Sequence, residues 1–316
     1  LNPNGPYPIL IVQGEQGSGK TNCCKFLRDI TDPAFPNIES LPRSERNFFT
    51  MAANGHVLSF DNLPTISARW SDIFCRASTG GGRSERALYA NGEVFGIEVK
   101  RPIILNCITD PITRPDAGDR SLAIKTATIP ADKRIPEEEL WRQWEADKPA
   151  MFGALCNAVS MAMRNMPFVH LDSYPRMADF AKFIVAAEPA LPWESGTFLK
   201  AYENNRIGII DNAIEADPVA SAVVKLCQAY GAWTSTPSDL LSTLSQYVSP
   251  DIRRLNIWPK TANSLSGQLK RCATFLRAQN IEISFGKSQG QRYIAICPTV
   301  QPPLPIPAPL QPQNYE

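Results

Sequence analysis

Short apolar runs recur along the first 130 residues and alternate with helical or polar stretches. The runs occupy residues 9–12, 57–60, 103–106 and 121–124, and each has the length of a strand that is buried on both faces. Strands of this kind that alternate with helices are typical of a parallel sheet. The pattern therefore predicts an α/β core with a parallel sheet over residues 1–130.

The spacing of apolar residues changes beyond residue 136, where they recur every three or four positions. This period is typical of helices that bury one face. The residues that set it are Leu140, Trp144, Met151, Leu155, Ala158, Val159 and Ala162, followed by Met177, Phe180 and Ile184. We expect a helical subdomain over residues 131–210, beside the sheet.

Three helical patterns and one strand-turn-strand pattern follow. The helical patterns lie at residues 219–230, 238–247 and 263–278, and the hairpin pattern lies at 281–296. Three helices and a hairpin are the order of a winged helix, which we predict for residues 211–298. Residues 299–316 are rich in proline, which predicts an extended, unpacked tail.

Composition excludes several classes of protein. With 43% hydrophobic and 20% charged residues, the 316-residue chain is typical of a globular protein, and no apolar run is long enough to cross a bilayer. Eight cysteines without a CxxC spacing and only two histidines argue against a structural zinc site. The scattered thiols, without a secretory leader, favour a reducing cytoplasm.

The charge is near neutral over the whole chain, at +1, but it is unevenly distributed. Residues 250–292 contain eight cations and two carboxylates, a net charge of +6. The third predicted helix has an apolar face and leaves Lys270, Arg271 and Arg277 available for nucleic acid, with Lys287 at the hairpin tip. The alternative is a winged helix that contacts protein and carries a solvated basic face.

Residues 14–21, GEQGSGKT, match the pattern G-x-x-x-x-G-K-[ST] between a predicted strand and a predicted helix. Glycines allow backbone N–H groups to surround phosphate oxygens, and the helix start adds its dipole. A glycine-rich turn with a chance lysine is the weaker interpretation. The motif predicts ATP and Mg²⁺ as cofactors, with Thr21 on the metal, and the nucleotide-binding residues Gly14, Gly17, Ser18, Gly19, Lys20 and Thr21.

Polar residues end the next two predicted strands. Asp61 and Asn62 close the second run and Asn106 closes the third. A carboxylate at the end of a strand beside a phosphate loop suits a second contact to Mg²⁺, and an amide can orient the attacking water. Either residue alone is common at the start of a turn, so these predictions for Asp61 and Asn106 depend on the phosphate loop.

Two further groups of arginines are candidates. Arg120 could reach the nucleotide of a neighbouring subunit as an arginine finger, with Arg114 as second choice; the alternative is a surface ion pair of Arg120 with Asp116 or Asp119. Three glycines flanked by Arg76, Arg83 and Arg86 predict a mobile basic loop that approaches a phosphodiester backbone; the alternative is a flexible surface turn.

The order of these motifs resembles the superfamily III helicases of viruses, phages and plasmids, which belong to the AAA+ class. The matching segments are GEQGSGKT, VLSFDN and the stretch of residues 79–106, followed by Arg120. The chain looks most like phage and prophage primase-helicases related to the poxvirus protein, over residues 8–296. The family's amino-terminal primase half is expected to precede the chain.

The resemblance implies a hexameric ring that draws single-stranded DNA through its centre. It implies that Lys20 and Thr21 bind the nucleotide and Mg²⁺, and that Asp61 is the Walker B carboxylate. Asn106 would be sensor 1, and Arg120 would be the arginine finger that acts on a neighbouring subunit. Arg83 and Arg86 would line the pore. Asn62 departs from the family, because a second carboxylate commonly stands there to activate water.

We therefore predict that the chain is an AAA+ ATPase and DNA helicase from a mobile element, with a carboxy-terminal winged helix. Its predicted partner is single-stranded or forked DNA, and its predicted location is the cytoplasm. The alternative is a loader or scaffold that binds DNA and assembles on ATP without unwinding, which Asn62 favours. A metabolic P-loop kinase is disfavoured, because no second substrate site is evident and a basic winged helix would have no purpose.

Overall fold

A computed structural model describes residues 5–63, 65–86, 94–108, 111–112, 114–288 and 290–299, with only the backbone described at 84–86, 94–95 and 115. The described residues form two compact units. The first unit comprises those of 1–111 and 119–206, and the second comprises those of 112–118 and 207–303. The predicted proline-rich tail lies outside the described residues from position 300 onward.

The first half of the chain alternates strands and helices. Its elements are, in chain order, β1 (Ile9–Gln13), α1 (Lys20–Thr31), α2 (Glu45–Asn54), β2 (Leu58–Leu63), α3 (Ala68–Thr79), β3 (Gly81–Arg86), β4 (Val94–Val99), β5 (Ile103–Cys107), α4 (Pro115–Gly118) and β6 (Ser121–Lys125). Strands β2, β5, β1 and β6, in that spatial order, form a parallel sheet. The four predicted strands and the α/β class are thus confirmed, but the predicted burial on both faces is wrong for β6, an edge strand whose Ile124 is 45% exposed.

Local sequence explains where the helices of this sheet region begin. The Ser44 hydroxyl accepts a hydrogen bond from the N–H of Asn47 at the start of α2, and the Ser67 hydroxyl accepts one from the N–H of Trp70 at the start of α3. A serine at this position satisfies one of the N–H groups that the first turn leaves without a helical partner. These caps fix the two helices that flank β2.

The predicted helical region of the first unit contains α5 (Glu137–Asn165), α6 (Ala178–Ala187) and the start of α7 (Thr197–Ala216). Its helical character is confirmed, but the predicted core face of α5 is only partly buried. Ala158 and Ala162 are buried, whereas Met151, Leu155 and Val159 are 39–46% exposed. Periodicity predicts which residues share a helix face, but not how far another element covers that face.

The second unit contains α4, the end of α7, and then α8 (Pro218–Tyr230), β7 (Trp233–Ser235), α9 (Pro237–Leu244), α10 (Pro250–Arg254), α11 (Ala262–Ala278), β8 (Ile281–Ser288) and β9 (Gln291–Pro298). The three predicted helices and the hairpin are confirmed, while β7 and α10 were not predicted. The strands form an antiparallel sheet in the order β7-β9-β8. None of the helices described is long and apolar enough to cross a membrane.

Candidate nucleotide-binding site

Three glycines shape the loop between β1 and α1, called here the phosphate loop. Gly17 and Gly19 have φ angles of 82° and 76°, in the left-handed region that residues with a Cβ atom rarely adopt. A Cβ atom on Gly14 would lie 2.4 Å from Oγ1 of Thr126 and 2.7 Å from the Thr126 carbonyl oxygen. The loop conformation therefore requires glycine at all three positions.

The polar side chains of the phosphate loop are held by the loop itself and by Thr126. Nζ of Lys20 donates to the carbonyl oxygen of Glu15 at 2.6 Å, and the Ser18 hydroxyl donates to the same oxygen at 2.8 Å. The Thr126 hydroxyl donates to Oγ of Ser18 at 2.8 Å. Gly19 caps α1 without a side-chain hydrogen bond, so the first turn keeps N–H groups for an anion.

Three predicted residues meet at the mouth of this loop. Nδ2 of Asn106 donates to Oγ1 of Thr21 at 3.0 Å and to Oδ1 of Asp61. Asn106 is 3% exposed, and its Oδ1 has no hydrogen-bond partner among the described residues. A buried acceptor that is left without a partner is costly, so this oxygen is available to a bound water or ligand.

The strand order explains why these residues meet. β5 lies between β1 and β2, with Asn106 paired with Val12 and Leu105 paired with Phe60. The carboxyl ends of the three parallel strands therefore share one edge of the sheet, where the phosphate loop begins.

Asn62, the residue next to Asp61, lies outside this cluster. Its φ angle is 50°, and the pairing of β2 with β5 changes register between Phe60 and Leu63. Asparagine tolerates this left-handed backbone better than most residues. Asn62 is exposed whereas Asp61 is half-buried, so the structure separates two residues that are adjacent in sequence.

An apolar cavity of about 680 Å³ opens beside Ser18 and Gly19. Most of its walls come from α1 and α5, through Cys23, Phe26, Leu27, Ile30, Leu140, Trp144, Met151, Ala154 and Leu155. Phe26 stacks on Trp144 with ring centroids 4.4 Å apart, and Nε1 of Trp144 donates to Asp29 at 2.7 Å. The cavity has the size and lining of a small-molecule pocket that continues from the phosphate loop.

The two candidate finger arginines lie in different units. The carbonyl oxygen of Arg120 accepts a hydrogen bond from the N–H of Ile9 at 2.8 Å, which places Arg120 at the opposite edge of the sheet from the phosphate loop. Its guanidinium lies 3.9 Å from the sulfur of Cys75. Arg114 belongs to the second unit, just before α4. Arg120 thus lies far from the Lys20 of its own chain.

The prediction of a mobile basic loop is wrong for the residues that the structure describes. Arg76 lies in α3, and β3, which contains Arg83 and Arg86, pairs antiparallel with β4. Residues 87–93, the tip of this hairpin, lie outside the described residues, as does the Arg86 side chain. A Cβ atom on Gly82 would lie 2.1 Å from the carbonyl oxygen of Ile97, so this glycine serves close strand pairing instead of mobility.

The carboxylate of Glu45 in α2 forms ion pairs with three arginines at the base of this hairpin. Its oxygens lie 2.5 Å from Arg76, 3.5 Å from Arg69 and 3.9 Å from Arg83. The hydrogen bond from Arg76 is the main cause that holds the pKa of Glu45 below its usual range. Sequence patterns missed Glu45 and Arg69, because contacts across 24 and 31 residues have no local signal.

The predicted basic residues of the second unit separate into distinct environments. Leu265, Leu269, Cys272 and Leu276 of α11 are buried, which confirms its apolar face. Arg277 is bound by Glu282 through hydrogen bonds of 2.8 and 3.0 Å, so its charge is matched within the chain. Lys270 lies over the ring of Phe285, 5.3 Å from its centre, while Lys287 and Arg271 are exposed.

Family comparisons cover nearly the whole chain. The family model described as actinomycete integrative conjugative element replication protein matches residues 1–211, and the one described as AICE RepA C-terminal domain matches residues 219–305. No curated protein matches the sequence.

Among solved structures, the chain is similar to the A form apo structure of the NrS-1 C-terminal region. The TM-score is 0.36 at 13% sequence identity, and the match covers 92% of this chain. The chain spans 66% of the length of that structure's chain.

Proposed function

The chain belongs to the replication proteins of actinomycete integrative conjugative elements, and from that premise we propose that it is a motor that hydrolyses ATP and moves along DNA. In this proposal the first unit is a P-loop core of the AAA+ class and the second contains a winged helix. The observation that carries it is the hydrogen bonding of Asn106, which joins Thr21 of the phosphate loop to Asp61.

The residues at the phosphate loop fit ATP with Mg²⁺. The ammonium group of Lys20 donates to a carbonyl oxygen of its own loop, and it can donate to phosphate oxygens instead when ATP binds. The Thr21 hydroxyl and the Asp61 carboxylate are hard oxygen ligands, as Mg²⁺ prefers. The unpartnered Oδ1 of Asn106 is an acceptor for a hydrogen bond from the attacking water. Mg²⁺ supplies positive charge that neutralises the β- and γ-phosphates.

The sheet order supports the AAA+ assignment of the first unit. The strand that carries the amide lies between the strand that leads into the phosphate loop and the strand that carries the carboxylate. In this order Asn106 lies between Asp61 and Thr21 of the phosphate loop, where a sensor 1 amide would stand between the proposed metal ligand and the phosphates. The apolar cavity beside Gly19 is the proposed place for the base.

The order of elements in the second unit supports the winged helix. A first helix, α8, is followed by β7, then α9 and α11, then the hairpin of β8 and β9. β7 pairs with β9, so the hairpin extends from a three-stranded sheet against which α11 packs. A helix and a hairpin projecting from one core can contact DNA together.

The position of Arg120 supports hydrolysis between subunits of a ring. A cation at the sheet edge opposite Lys20 cannot complete the site of its own chain, whereas a head-to-tail contact brings that edge to a neighbour. An arginine supplied in this way stabilises the charge of phosphoryl transfer.

Mixing two inactive variants tests this assignment. Arg120→Ala and Lys20→Ala should each lose ATP turnover, and an equimolar mixture should recover about a quarter of the wild-type rate if subunits combine at random and act independently. Recovery arises because a Lys20→Ala subunit still donates Arg120 to an intact neighbouring site. As a control, replacing the Lys20→Ala partner by the double variant should give no recovery. A high rate for Arg120→Ala alone would remove the assignment.

The rival function, a loader that assembles on ATP without unwinding, is favoured by Asn62. Its side chain is a neutral amide and is exposed, so it supplies no base next to Asp61. A loader would still bind ATP and DNA, but DNA would not accelerate hydrolysis.

ATP turnover with and without single-stranded DNA distinguishes the two functions. A motor is expected to hydrolyse ATP faster on DNA, because movement couples the two sites, and to displace the strand of a forked duplex. The measurements are phosphate release and strand displacement by the wild-type chain. Turnover that DNA leaves unchanged, with no strand displaced, would overturn the motor and support the loader.

A further inference from the structure

A cavity of about 480 Å³ lies between α11 and the β8–β9 hairpin in the second unit, and we call it the hairpin pocket. Its rim carries the side chains of Lys270, Lys287 and Arg292, and its lining also includes Phe285 and Ile294. No acidic residue is among the described residues that line it. The pocket therefore combines an apolar interior with a cationic rim.

The cations of this rim are held close together without a matching charge. Lys287 and Arg292 are directly opposite each other in the hairpin, and no ion pair is formed by either in the described part of the chain. Like charges in such a cross-strand pair destabilise a sheet. Lys270 approaches from α11, with Nζ 5.3 Å from the centre of the Phe285 ring. An anion in the pocket would relieve this repulsion.

Phe285 provides a stacking surface beside these charges. It continues the face of β8 that carries Ile281 and Ile283, which are buried, but it is 39% exposed itself. On the other face of the hairpin, Tyr293 packs closely on Gly286, where a Cβ atom would lie 2.2 Å from the ring. This close contact leaves no room for a side chain at Gly286, opposite Tyr293 in the hairpin.

The other side of α11 differs in charge. Arg271 and Gln268 line a second cavity together with Asp217, and Gln268 donates to that carboxylate at 3.4 Å. A carboxylate there repels phosphate, whereas the side facing the hairpin pocket has no such group in its described lining. Phosphate is therefore favoured on the Lys270 side.

We propose that the hairpin pocket binds single-stranded DNA: an unpaired base stacks on Phe285, Lys270 moves from above that ring to the adjoining phosphates, and Lys287 and Arg292 bind the same phosphates. This inference rests on the proposed action on DNA, and it adds that the second unit holds an unpaired strand. An aromatic ring beside a cationic groove is the combination that binds single strands with little sequence preference. An interior base pair cannot use the ring, because both its faces are already stacked in a duplex.

Binding of a labelled oligonucleotide of about ten nucleotides to the full chain without ATP tests the pocket, with a duplex of equal length as comparison. Phe285→Leu, which keeps the apolar side chain, is expected to weaken single-strand binding about tenfold and to leave duplex binding unchanged. Phe285→Tyr, which keeps an aromatic ring, should bind the single strand as the wild type does. Tyr230→Leu, which removes an aromatic ring that is 64% exposed elsewhere in the unit, is the matched control.

Salt dependence tests the phosphate contacts. Replacement of either Lys287 or Arg292 with glutamine should reduce the salt slope of single-strand binding by about 0.7. Since the first unit also carries arginines, photocrosslinking of an oligonucleotide that contains 5-iodouracil should locate a base on Phe285.

Two outcomes would overturn the pocket. One is single-strand affinity that Phe285→Leu leaves unchanged, with crosslinks only in the first unit. The other is an equal loss of single-strand and duplex binding. Because these measurements use no ATP, absence of ATP turnover would defeat the motor and leave this result intact.

Discussion

Replacing Lys20 with alanine is expected to reduce ATP turnover by about a hundred- to a thousandfold, while the chain remains folded. Lys20 is half-buried at the start of α1, and its ammonium group is bound by the Glu15 carbonyl within the phosphate loop. In the proposed function, the lost ammonium group stabilises charge on the transferred phosphoryl group. Phosphate release at saturating ATP measures the effect.

Lys25→Ala is the matched control for this variant. Lys25 lies on the same helix, and its ion pair with Glu137, at 3.3 Å, is on the surface. Such pairs contribute little, so turnover is expected to stay within about twofold of wild type. If both variants keep wild-type turnover, the phosphate loop does not serve ATP hydrolysis and the proposed function fails at its first step.

Replacing Phe60 with alanine is expected to destabilise the first unit by about 3–5 kcal/mol. The side chain is 0% exposed and packs among aromatic rings, with centroids 5.9 Å from Phe48 and 6.1 Å from Phe74. Truncation leaves a cavity among rigid rings that cannot close. Because Asp61 follows directly in β2, turnover should fall even where the variant remains folded. Urea unfolding followed by circular dichroism gives the change in free energy.

The control for this core substitution is Phe168→Ala. Phe168 is 67% exposed, and substitutions at such positions usually change stability by less than about 0.5 kcal/mol. Equal stabilities for the Phe60 and Phe168 variants would mean that the aromatic cluster around β2 does not support the fold.

Strong local patterns made the strands and the phosphate loop predictable. The runs at 9–12, 57–60 and 103–106 became β1, β2 and β5, because strands buried on both faces select apolar residues at nearly every position. The run at 121–124 became β6 at the edge of the sheet, where Ile124 is 45% exposed. The structural role of Gly17 and Gly19 in GEQGSGKT was predictable because their backbone angles are rarely adopted by other residues.

Two weaker local patterns led to wrong predictions. The glycines at 80–82 suggested a mobile loop, but glycine also permits close strand pairing, and Gly82 serves that purpose opposite Ile97. The stripe on α5 was expected to be buried, but Leu155 and Val159 remain partly exposed, because burial depends on what other elements cover.

The sequence by itself determined the four strands of the parallel sheet, the main helices of the second unit and the residues proposed to bind phosphate and metal, because each follows from spacing along the chain. Only the tertiary structure decided which of these residues contact one another. It placed β5 between β1 and β2 and so joined Asn106 to Thr21 and Asp61, and it tied Glu45 to three arginines. It also brought Phe285 beside Lys270. These contacts depend on the order of strands and the packing of helices, which residues distant in sequence settle together.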